Sequence, residues 1–466
     1  MNTLDRVGAL VLAAGKGTRM RSPVPKVLHT LLEEPLLGYS LSALSSSGIK
    51  KIAVVTGSGA ESVERYLHSS WPGVEALLQA DQKGTGHAVK VTEGWWGKLE
   101  TLLVLPGDAP FLTSEALQTL MKLKEESNSA ATLLSFEAEN PTGYGRIIRR
   151  ATGCRIVEEK DAKPEEKEVT EVNSGIYAFR VDALSTVIGL LENRNAQGEY
   201  YLPDVLPLLS ERGFRVEAGR WPSPEDLSGI NDPLQLAVAN RKMRDRILRA
   251  HLIEGVKVMD PETTWIGPSV TLGADVRIEA DVQIWGRSLV EKGASIGSHS
   301  ILRDASIRED AQVLPFCCLT DCEVGSRARV GPFACIRDKT KVGQGALVGK
   351  FVEVKNSFIG EKSKVPHLSY MGDATVGRQT NIGAGTITCN YDGKRKNPTR
   401  IGDNCFVGSD TMLIAPVTLH DGCFTAAGSA ITEDVPQGAL AVGRARQRNI
   451  EGWARRKGTD SRKEDS

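Results

Sequence analysis

The stretch "IGPSVTLGADVRIEADVQ", residues 266–283, places an aliphatic side chain at every sixth position, commonly followed by glycine or an acid. The same pattern returns at residues 324–335, 376–386 and 401–436. An α-helix, with about 3.6 residues per turn, cannot produce a strict six-residue repeat. Stacked short strands can, because each aliphatic side chain points inward and each coil rests on its neighbours. The hexads therefore predict a parallel β-helix in the C-terminal half of the chain.

Three segments interrupt the hexads: "CCLTD" (317–321), "GKFVEVKNS" (349–357) and "CNYDGKRKNPTR" (389–400). We expect each of them to be a loop that leaves the solenoid. Insertions of this kind often carry functional surfaces, because they are free of the packing demands of the repeat.

The N-terminal half, from Val7 to about Ile230, alternates apolar runs with helix-like segments. The runs are "VGALVLAA" (7–14), "IAVVTG" (52–57), "TLLVLPGD" (101–108) and "ATLLSFEA" (131–138). Continuous apolar runs between helices indicate strands that are buried on both faces of a mostly parallel sheet. This half is therefore expected to be an α/β, Rossmann-like domain, with its ligands at the carboxyl ends of the strands.

Between the two halves, "PLQLAVANRKMRDRILRAHLIE" carries apolar residues at helical spacing with cations between them, which predicts a connecting helix. The expected organisation is an α/β domain over residues 1–232, a linker helix over 233–254 and a β-helix domain over 255–466. The polar tail "RRKGTDSRKEDS" is expected to be flexible.

Composition excludes several classes of protein. The 58 lysines and arginines balance the 58 aspartates and glutamates, so no net charge favours nucleic acid or a membrane surface. No apolar run approaches the roughly 20 residues of a membrane span, and the N-terminus does not resemble a signal peptide, so we expect a cytoplasmic protein. The eight cysteines form no C-x-x-C pair and are expected to be reduced, buried packing residues rather than zinc ligands or disulfides.

The first apolar run ends in a glycine-rich loop, "LAAGKGTRMRSPVPKVL" (12–28). Its glycines allow the backbone to approach an anion, and four cations supply charge: Lys16, Arg19, Arg21 and Lys26. The loop lacks the G-x-x-x-x-G-K-[ST] pattern, and Met20 replaces the third glycine of G-x-G-x-x-G. An anion site of another kind is therefore indicated.

Asp108, after a strand and a glycine in "LPGDAP" (105–110), is positioned to bind a hard cation such as Mg²⁺, although an aspartate here can also simply form a turn. Further stretches that fit the same site are "LQADQKGTGHA" (78–88), "PTGYGRI" (141–147), "IVEEKDA" (156–162) and "EVNSGIY" (171–177).

These motifs carry a resemblance. The glycine-rich loop resembles the L-x-x-G-x-G-T-R-M-x(n)-P-K signature of sugar-1-phosphate nucleotidyltransferases, and "QADQKGTGHA" resembles their uridyl-preferring branch. Both halves together, from Leu12 to about Arg444, resemble a bacterial family of bifunctional enzymes that make UDP-N-acetylglucosamine for peptidoglycan and lipopolysaccharide. In that family an N-acetylglucosamine-1-phosphate uridyltransferase is fused to a glucosamine-1-phosphate N-acetyltransferase.

The resemblance implies the residues of the N-terminal site. The nucleotide would contact Leu12, Ala13, Ala14, Gly15 and Lys26, and Gln79, Gly84 and Thr85 would read the uracil. Asp108 and Asn231 would hold Mg²⁺, Asn231 also lying at the nucleotide sugar, and Gly145, Glu158 and Asn173 would bind the N-acetylglucosamine and ribose.

The implied reaction is in-line attack of the sugar phosphate on the α-phosphorus of UTP, which releases pyrophosphate. Positioning, Mg²⁺ and the cations Arg19 and Lys26 would neutralise the developing charge. One departure concerns Pro106, which stands where the family often has an aromatic residue before "GD". Because proline has no backbone N–H, a contact made by that group is in doubt.

In the C-terminal half, "KVPHLSYMGD" (364–373) departs from the hexads and presents His367 beside Tyr370. A lone histidine in a repeat is usually a packed or surface residue, but cations surround this one in the sequence: Arg337, Lys355 and Lys396. Acetyl transfer to an amine needs a base, and a histidine that titrates near neutral pH suits that task. The cations suit the phosphates of an amino-sugar phosphate and of coenzyme A.

The resemblance makes His367 that base. It implies that glucosamine 1-phosphate contacts Arg337, Lys355, Tyr370 and Asn381, and that acetyl-CoA contacts Ala384, Asn390, Tyr391, Ser409, Ala427 and Arg444. The Ala384 amide is the expected oxyanion donor. The resemblance further implies a left-handed β-helix and a homotrimer in which neighbouring chains complete each acetyl site.

Two alternatives remain open at this point. The chain could act on another sugar phosphate and amino sugar, or its β-helix could be a structural or regulatory module fused to a nucleotidyltransferase. A purely structural solenoid would not require the set His367, Lys355, Asn390 and Tyr391, which favours the two-reaction enzyme.

Overall fold

The computed structural model describes residues 3–150 and 153–456. The chain divides into two compact units between Met243 and Arg244, within a helix that spans Pro233–Ile253. The expected flexibility of the C-terminal tail concerns residues that, from 457 onward, lie outside the described part.

The N-terminal unit contains one large sheet and a small two-stranded ribbon. Its strands are β1 (Val7–Leu12), β2 (Thr30–Leu31), β3 (Glu34–Pro35), β4 (Lys51–Thr56), β5 (Glu75–Leu78), β6 (Thr101–Pro106), β7 (Ala131–Glu137), β8 (Arg146–Arg150), β9 (Gly153–Val157), β10 (Glu171–Arg180) and β11 (Val216–Arg220). The order in the sheet is β11-β7-β10-β6-β1-β4-β5, and the β8–β9 hairpin is attached to β10. Strands β2 and β3 form a separate two-stranded ribbon.

Helices alternate with these strands along the chain. They are α1 (Leu36–Ser46), α2 (Ala60–Ser70), α3 (Thr85–Val91), α4 (Glu93–Trp96), α5 (Ser114–Ser127), α6 (Pro164–Lys167), α7 (Val181–Val187), α8 (Val205–Glu211), α9 (Pro224–Leu227) and α10 (Pro233–Ile253). Short 3₁₀ turns lie at Thr3–Arg6, Thr18–Met20, Lys26–Leu28, Ile188–Leu190 and Leu202–Asp204.

Strand β1 shows why the apolar runs are continuous. It lies between β4 and β6 and is parallel to both. Leu10 packs into the hydrophobic cluster on one face of the sheet, while Ala9 and Val11 pack into the cluster on the other, and all three are fully buried. The prediction of a mostly parallel α/β sheet is confirmed, with β10 running antiparallel to β6 and β7.

Strand β10 is anchored by a buried carboxylate, Glu171, at its start. Arg149 on β8 donates two hydrogen bonds to it, at 2.9 and 2.6 Å, and Arg220 on β11 donates a third at 3.1 Å. The hydroxyl of Ser135 on β7 donates at 2.5 Å. Glu171 therefore ties four strands together two residues before Asn173, one of the expected ligand-binding residues.

Replacing Glu171 by alanine is expected to lower the free energy of unfolding by about 1–3 kcal/mol, because the groups around it lose their acceptor. Burial raises the pKa of Glu171, but hydrogen bonds from Arg149, Ser135 and Arg220 hold it below its ordinary 4.5. The contribution is therefore complete above pH 4.5 and is lost as the pH falls through the lowered pKa. Urea unfolding, followed by tryptophan fluorescence, measures the difference; equal losses at neutral and strongly acidic pH would contradict this account.

The C-terminal unit, beyond the end of α10, is a parallel β-helix. One sheet stacks the strands Lys257–Val258, Arg277–Ile278, Ser295–Ile296, Gln312–Val313, Arg329–Val330, Leu347–Lys350, Lys364–His367, Asn381–Ile382, Phe406–Val407, Phe424–Thr425 and Leu440–Ala441. We call it sheet C1.

The second sheet, called sheet C2, folds around the rest of each coil. Its strands are Trp265–Ile266, Thr271–Leu272, Gln283–Trp285, Leu289–Val290, Ile301–Ile307, Cys318–Val324, Cys335–Arg337, Thr340–Val342, Glu353–Lys355, Phe358–Ile359, Tyr370–Gly372, Ala374–Val376, Ile387–Cys389, Thr399–Ile401, Met412–Ile414, Val417–Leu419 and Ala430–Ile431. A short helix, Trp453–Arg456, follows the last coil. One continuous core of inward aliphatic side chains fills the solenoid, as the hexads predict.

Two of the three predicted loops are wrong. Residues 317–321 belong largely to the strand Cys318–Val324, which pairs with Ile301–Ile307, and residues 349–357 contain the strand Glu353–Lys355. The "KVPHLSYMGD" segment likewise stays within the coils, as the strands Lys364–His367 and Tyr370–Gly372. Only residues 389–400 leave the solenoid as predicted, closed by a bridge between Tyr391 and Lys396.

The cysteine prediction needs one correction. All eight are free thiols, and five are buried, but Cys318 is exposed and Cys335 and Cys389 are partly buried. Cys318 and Cys335 pair across neighbouring strands of sheet C2, on its outward face, which explains their exposure. Among the described residues, no helix combines the length and the apolar character that crossing a membrane requires.

Candidate active sites

A cavity of about 620 Å³ opens at the carboxyl ends of β1, β6 and the bulged part of β10. It collects eight of the residues expected at the nucleotide and sugar: Leu12, Ala14, Gly15, Gln79, Gly84, Thr85, Glu158 and Asn173. Pro106, the departure from the family pattern, also lines it.

The glycine-rich loop packs tightly at the mouth of this cavity. Gly17 has φ +57°, and a Cβ there would lie 2.7 Å from Lys26 Cβ, so neither the conformation nor the space suits a side chain. This close approach brings Lys26 beneath the loop. The loop and Lys26 thus form one anion-binding corner, although thirteen residues of irregular chain and 3₁₀ turn follow the end of β1 before Lys26 is reached in sequence.

Gln79, the expected uracil reader, is buried and fixed. Its Nε2 donates to the Gly84 carbonyl at 3.1 Å and lies 3.0 Å from His87 Nδ1. The Thr85 hydroxyl accepts a hydrogen bond from the Leu202 backbone N–H at 3.0 Å, and Gly86 N–H donates to the Tyr200 carbonyl at 2.8 Å. The segment before α8 therefore closes the cavity beside Gln79 and Thr85.

The residues expected at the sugar, Gly145, Glu158 and Asn173, lie close together, and Glu158 and Asn173 line the cavity. The Asn173 N–H donates to the Gly145 carbonyl at 2.9 Å, and a Cβ on Gly145 would lie 3.1 Å from Glu158 Oε1. The Asn173 side chain is oriented by Tyr177, whose hydroxyl accepts from Nδ2 at 2.7 Å. Burial, and then the charges of Asp204 and Asp161, raise the pKa of Glu158.

A smaller cavity of about 250 Å³ adjoins the loop and contains the expected metal ligands. The Asp108 carbonyl accepts from Ile230 N–H at 3.0 Å, which brings Asn231 beside Asp108. Lys26 forms an ion pair with Asp108 and donates to Asn231 Oδ1 at 2.8 Å, and Arg19 donates to the same oxygen at 2.8 Å. The Asp108 carboxylate and Asn231 Oδ1 thus face the same position, which the Lys26 ammonium occupies in this structure. Ala13 also lines this cavity.

The larger cavity is also lined by residues that the sequence analysis did not select, namely Thr18, Gln82, Ala88, Gly175, Tyr177, Glu199, Leu202 and Pro203. Gln82 and Ala88 lie inside a quoted motif and could have been found there. Glu199, Leu202 and Pro203 follow no motif, because the fold alone brings their segment to the cavity.

On the β-helix, three of the four expected sugar-phosphate residues lie on neighbouring strands of sheet C2. Arg337 pairs with Lys355 across adjacent strands, and Glu353 pairs with Tyr370. Arg337 donates to Glu353 Oε1 at 3.0 and 2.7 Å. The pKa of Lys396 is lowered, chiefly because the Lys355 ammonium lies within hydrogen-bonding reach. Two adjacent ammonium groups favour a bound anion between them.

Asp373 holds the excursion 389–400 against the solenoid. Its Oδ1 accepts from Asn356 Nδ2 at 2.6 Å and its Oδ2 from Asn390 Nδ2 at 2.5 Å, and its carbonyl accepts from Thr399 N–H at 3.1 Å. Asn390 is therefore buried, whereas the neighbouring Tyr391 is exposed.

His367 is exposed at the corner where a coil leaves sheet C1. The next residue, Leu368, accepts from Gly385 N–H at 3.0 Å, so Ala384 lies on the adjacent coil. Ala384 O accepts from Asp410 N–H at 2.6 Å, and Ser409 O accepts from Gly428 N–H at 2.8 Å. Four of the expected acetyl-CoA residues thus follow His367 along this corner, in the order Ala384, Ser409, Ala427 and Arg444. Arg444 reaches the corner through its side chain, whose Cδ would lie 3.9 Å from a Cβ placed on Gly428.

The two groups of residues lie on different sheets. Asn381 and His367 belong to sheet C1, whereas Arg337, Lys355 and Tyr370 belong to sheet C2. His367 and Tyr370 therefore lie on one coil, whereas Lys355 and Arg337 lie on the two coils before it.

Comparison with known proteins identifies the family of this chain. The family model described as nucleotidyl transferase matches residues 8–220, and the hexapeptide repeat of succinyl-transferase matches residues 398–433. Proteins named "Bifunctional protein GlmU" from Streptomyces avermitilis and Streptomyces coelicolor are each 44% identical to this chain over 98% of it and 96% of their own length. The protein of that name from Carboxydothermus hydrogenoformans is 44% identical over 96% of this chain and 99% of its own. With identity of this level over nearly its whole length, the chain belongs to the bifunctional GlmU family of nucleotidyltransferases fused to a hexapeptide-repeat acetyltransferase.

Proposed function

We propose that this chain makes UDP-N-acetylglucosamine in two reactions. The C-terminal unit acetylates glucosamine 1-phosphate with acetyl-CoA, and the N-terminal unit transfers UMP from UTP to the resulting N-acetylglucosamine 1-phosphate, which releases pyrophosphate. One observation carries the proposal: the glycine-rich loop, Gln79 and the pair Glu158 and Asn173 line the same cavity. The loop fits a phosphate chain, Gln79 fits a base, and Glu158 and Asn173 fit a sugar.

The residues around Asp108 fit Mg²⁺. A carboxylate and an amide oxygen are hard donors, and Mg²⁺ commonly takes one or two protein oxygens together with substrate phosphates. When bound, Mg²⁺ supplies charge neutralisation at the phosphate oxygens. Asp108 and Asn231 would hold it, while Lys26 and Arg19, at the same cavity, neutralise charge on the phosphates.

At the acetyl site, His367 removes a proton from the attacking amine. Its exposure suits this role, because the imidazole can meet a substrate that lies over the corner. The Ala384 N–H donates to no backbone carbonyl within the described residues, which supports it as the donor to the thioester oxyanion. Arg337, Lys355, Tyr370 and Asn381 would bind the sugar phosphate, and Asn390, Tyr391, Ser409, Ala427 and Arg444 would bind acetyl-CoA.

We also propose a homotrimer. His367 and most of the expected sugar-phosphate residues lie on different sheets, which supports a site completed by the neighbouring chain. Light scattering of the purified protein during gel filtration tests this: a mass of one chain would contradict it. The proposed compartment is the cytoplasm, where UTP and acetyl-CoA are available.

The function is tested with the intact chain and one pair of reactions. With glucosamine 1-phosphate, acetyl-CoA, UTP and Mg²⁺, we expect both free thiol and pyrophosphate to be released. Omission of acetyl-CoA should abolish pyrophosphate release, and N-acetylglucosamine 1-phosphate should restore it. Pyrophosphate release from UTP and glucosamine 1-phosphate alone, at the rate of the complete mixture, would contradict the proposed order.

Replacing Asp373 by alanine is expected to lower kcat/KM for acetyl transfer about five- to fifty-fold, because Asn390 loses the charged acceptor that positions it. Thiol release at varied acetyl-CoA concentration measures the effect. The matched control is Asn356→Ala, which removes the other donor to Asp373 but leaves the bond to Asn390. Equal losses in the two variants would contradict a positioning role through Asn390.

A further inference from the structure

Gln79 can offer only one of its two amide atoms to a ligand. The Gly84 carbonyl accepts a hydrogen bond and cannot donate one, so the side-chain atom 3.1 Å from it must be the nitrogen, Nε2. Oε1 accepts no hydrogen bond from the described residues, and Gln79 lines the larger cavity. The atom presented to a ligand is therefore an acceptor.

His87 supplies the second constraint on this amide. Gln79 Nε2 already donates to Gly84, and its other hydrogen faces His87 Nδ1 at 3.0 Å. Nδ1 must therefore be an acceptor, which requires a neutral imidazole with its proton on Nε2. His87 does not line the cavity itself. It acts only through Gln79.

The surroundings of His87 favour the neutral form. Burial lowers its pKa from the ordinary 6.5, and the Lys83 and Lys90 charges lower it further, while the Asp81 carboxylate and carbonyl raise it. The ring of Tyr200 packs nearby, with ring centroids 6.1 Å apart. The net direction is downward, so the imidazole is neutral at neutral pH, and its contact with Gln79 Nε2 then leaves Nδ1 as the unprotonated nitrogen.

We propose that His87 is a positioning residue that selects the base, by holding Gln79 with its oxygen toward the cavity. Uracil carries an N–H donor at N3, which pairs with this oxygen, whereas N3 of cytosine is an acceptor and is repelled by it. If the amide turned over, Gln79 would offer a donor and would suit cytosine instead. Gly84 and His87 together oppose that turn. The inference rests on the proposed uridylyl transfer and deepens it.

The test compares two variants of the intact chain, His87→Leu and His87→Asn, with UTP and CTP as competing substrates and N-acetylglucosamine 1-phosphate as acceptor. Leucine removes the acceptor, so the ratio of kcat/KM for UTP to that for CTP should fall about three- to tenfold, the equivalent of one hydrogen bond. Asparagine places Oδ1 on the same Cγ that carries Nδ1, so its ratio should stay within twofold of the wild type.

Two other results overturn the proposal. In the first, kcat/KM falls for UTP and CTP alike in His87→Leu, so that their ratio remains within twofold of the wild type. A merely structural role predicts this result. The other is an equal loss of the ratio in both variants. Thiol release from acetyl-CoA, which depends on the other unit, serves as the control for an intact chain. A wild-type protein that uses neither UTP nor CTP would instead refute the proposed function.

The pH dependence of KM for UTP tests the role of the neutral imidazole independently. Protonation would turn His87 Nδ1 into a donor facing the Gln79 N–H, so KM for UTP should rise in the wild type at pH values below 6.5. The His87→Asn variant has no group that titrates there and should show a smaller rise. The same rise in both proteins would overturn the role of the neutral imidazole.

Discussion

Replacing His367 by alanine is expected to lower acetyl transfer to glucosamine 1-phosphate about 10²- to 10⁴-fold, the usual contribution of a positioned general base. Uridylyl transfer to added N-acetylglucosamine 1-phosphate should be unchanged, because its cavity is formed by residues of the other unit. The measurement records free thiol and pyrophosphate in one reaction. With glucosamine 1-phosphate as the only sugar, both signals should fall, and N-acetylglucosamine 1-phosphate should restore pyrophosphate alone.

The matched control for this experiment is His420→Ala. His420 is another exposed histidine of the β-helix, and it lies outside the corner that carries Ala384, Ser409 and Ala427. It should keep both activities. Thiol release at the wild-type rate in His367→Ala would exclude His367 as the base. The base would then have to be sought among other residues of the C-terminal unit.

Replacing Asp108 by asparagine is expected to lower pyrophosphate release at least about 10²-fold, with acetyl transfer retained. The substitution keeps the size of the side chain but removes the charge that would hold Mg²⁺ and that pairs with Lys26. A titration of Mg²⁺ should show a higher concentration for half-maximal rate in the variant. This second readout separates weakened metal binding from a general loss of structure.

The control for Asp108 is Asp182→Asn, which removes an exposed carboxylate of the same unit that pairs with Arg180. It should leave the rate and the Mg²⁺ requirement as in the wild type. An unchanged Mg²⁺ requirement in Asp108→Asn, whatever its rate, would argue against Asp108 as a metal ligand.

The errors over the β-helix have a common physical cause. Several coils contain 17 residues rather than the 18 of three hexads, as seen between Ser300 and Cys317 and between Ser357 and Ala374. One missing residue shifts the phase of the hexads along the sequence, and the pattern then looks interrupted. The coil itself survives, because Leu319 and Val354 still reach the core and are fully buried. Between Thr380 and Cys405 the separation is 25 residues, and there the chain must leave the solenoid.

Local sequence determined the architecture of both units, because each element meets its neighbours through a regular pattern of buried side chains. The hexads place inward aliphatic residues in every coil, and the continuous apolar runs require a sheet covered on both faces. The glycine-rich loop was also apparent from the sequence. The structure gives the physical reason for its glycine, because Gly17 has a positive φ and no room for a Cβ beside Lys26.

Only the tertiary structure decided how distant side chains combine. Asp108 and Asn231 come together because Ile230 N–H donates to the Asp108 carbonyl, and Asn390 is positioned because Asp373 reaches it from another coil. The orientation of the Gln79 amide depends on acceptors supplied by Gly84 and His87. Hydrogen bonds of this kind have no periodicity along the chain, since they depend on direction and distance in the folded protein.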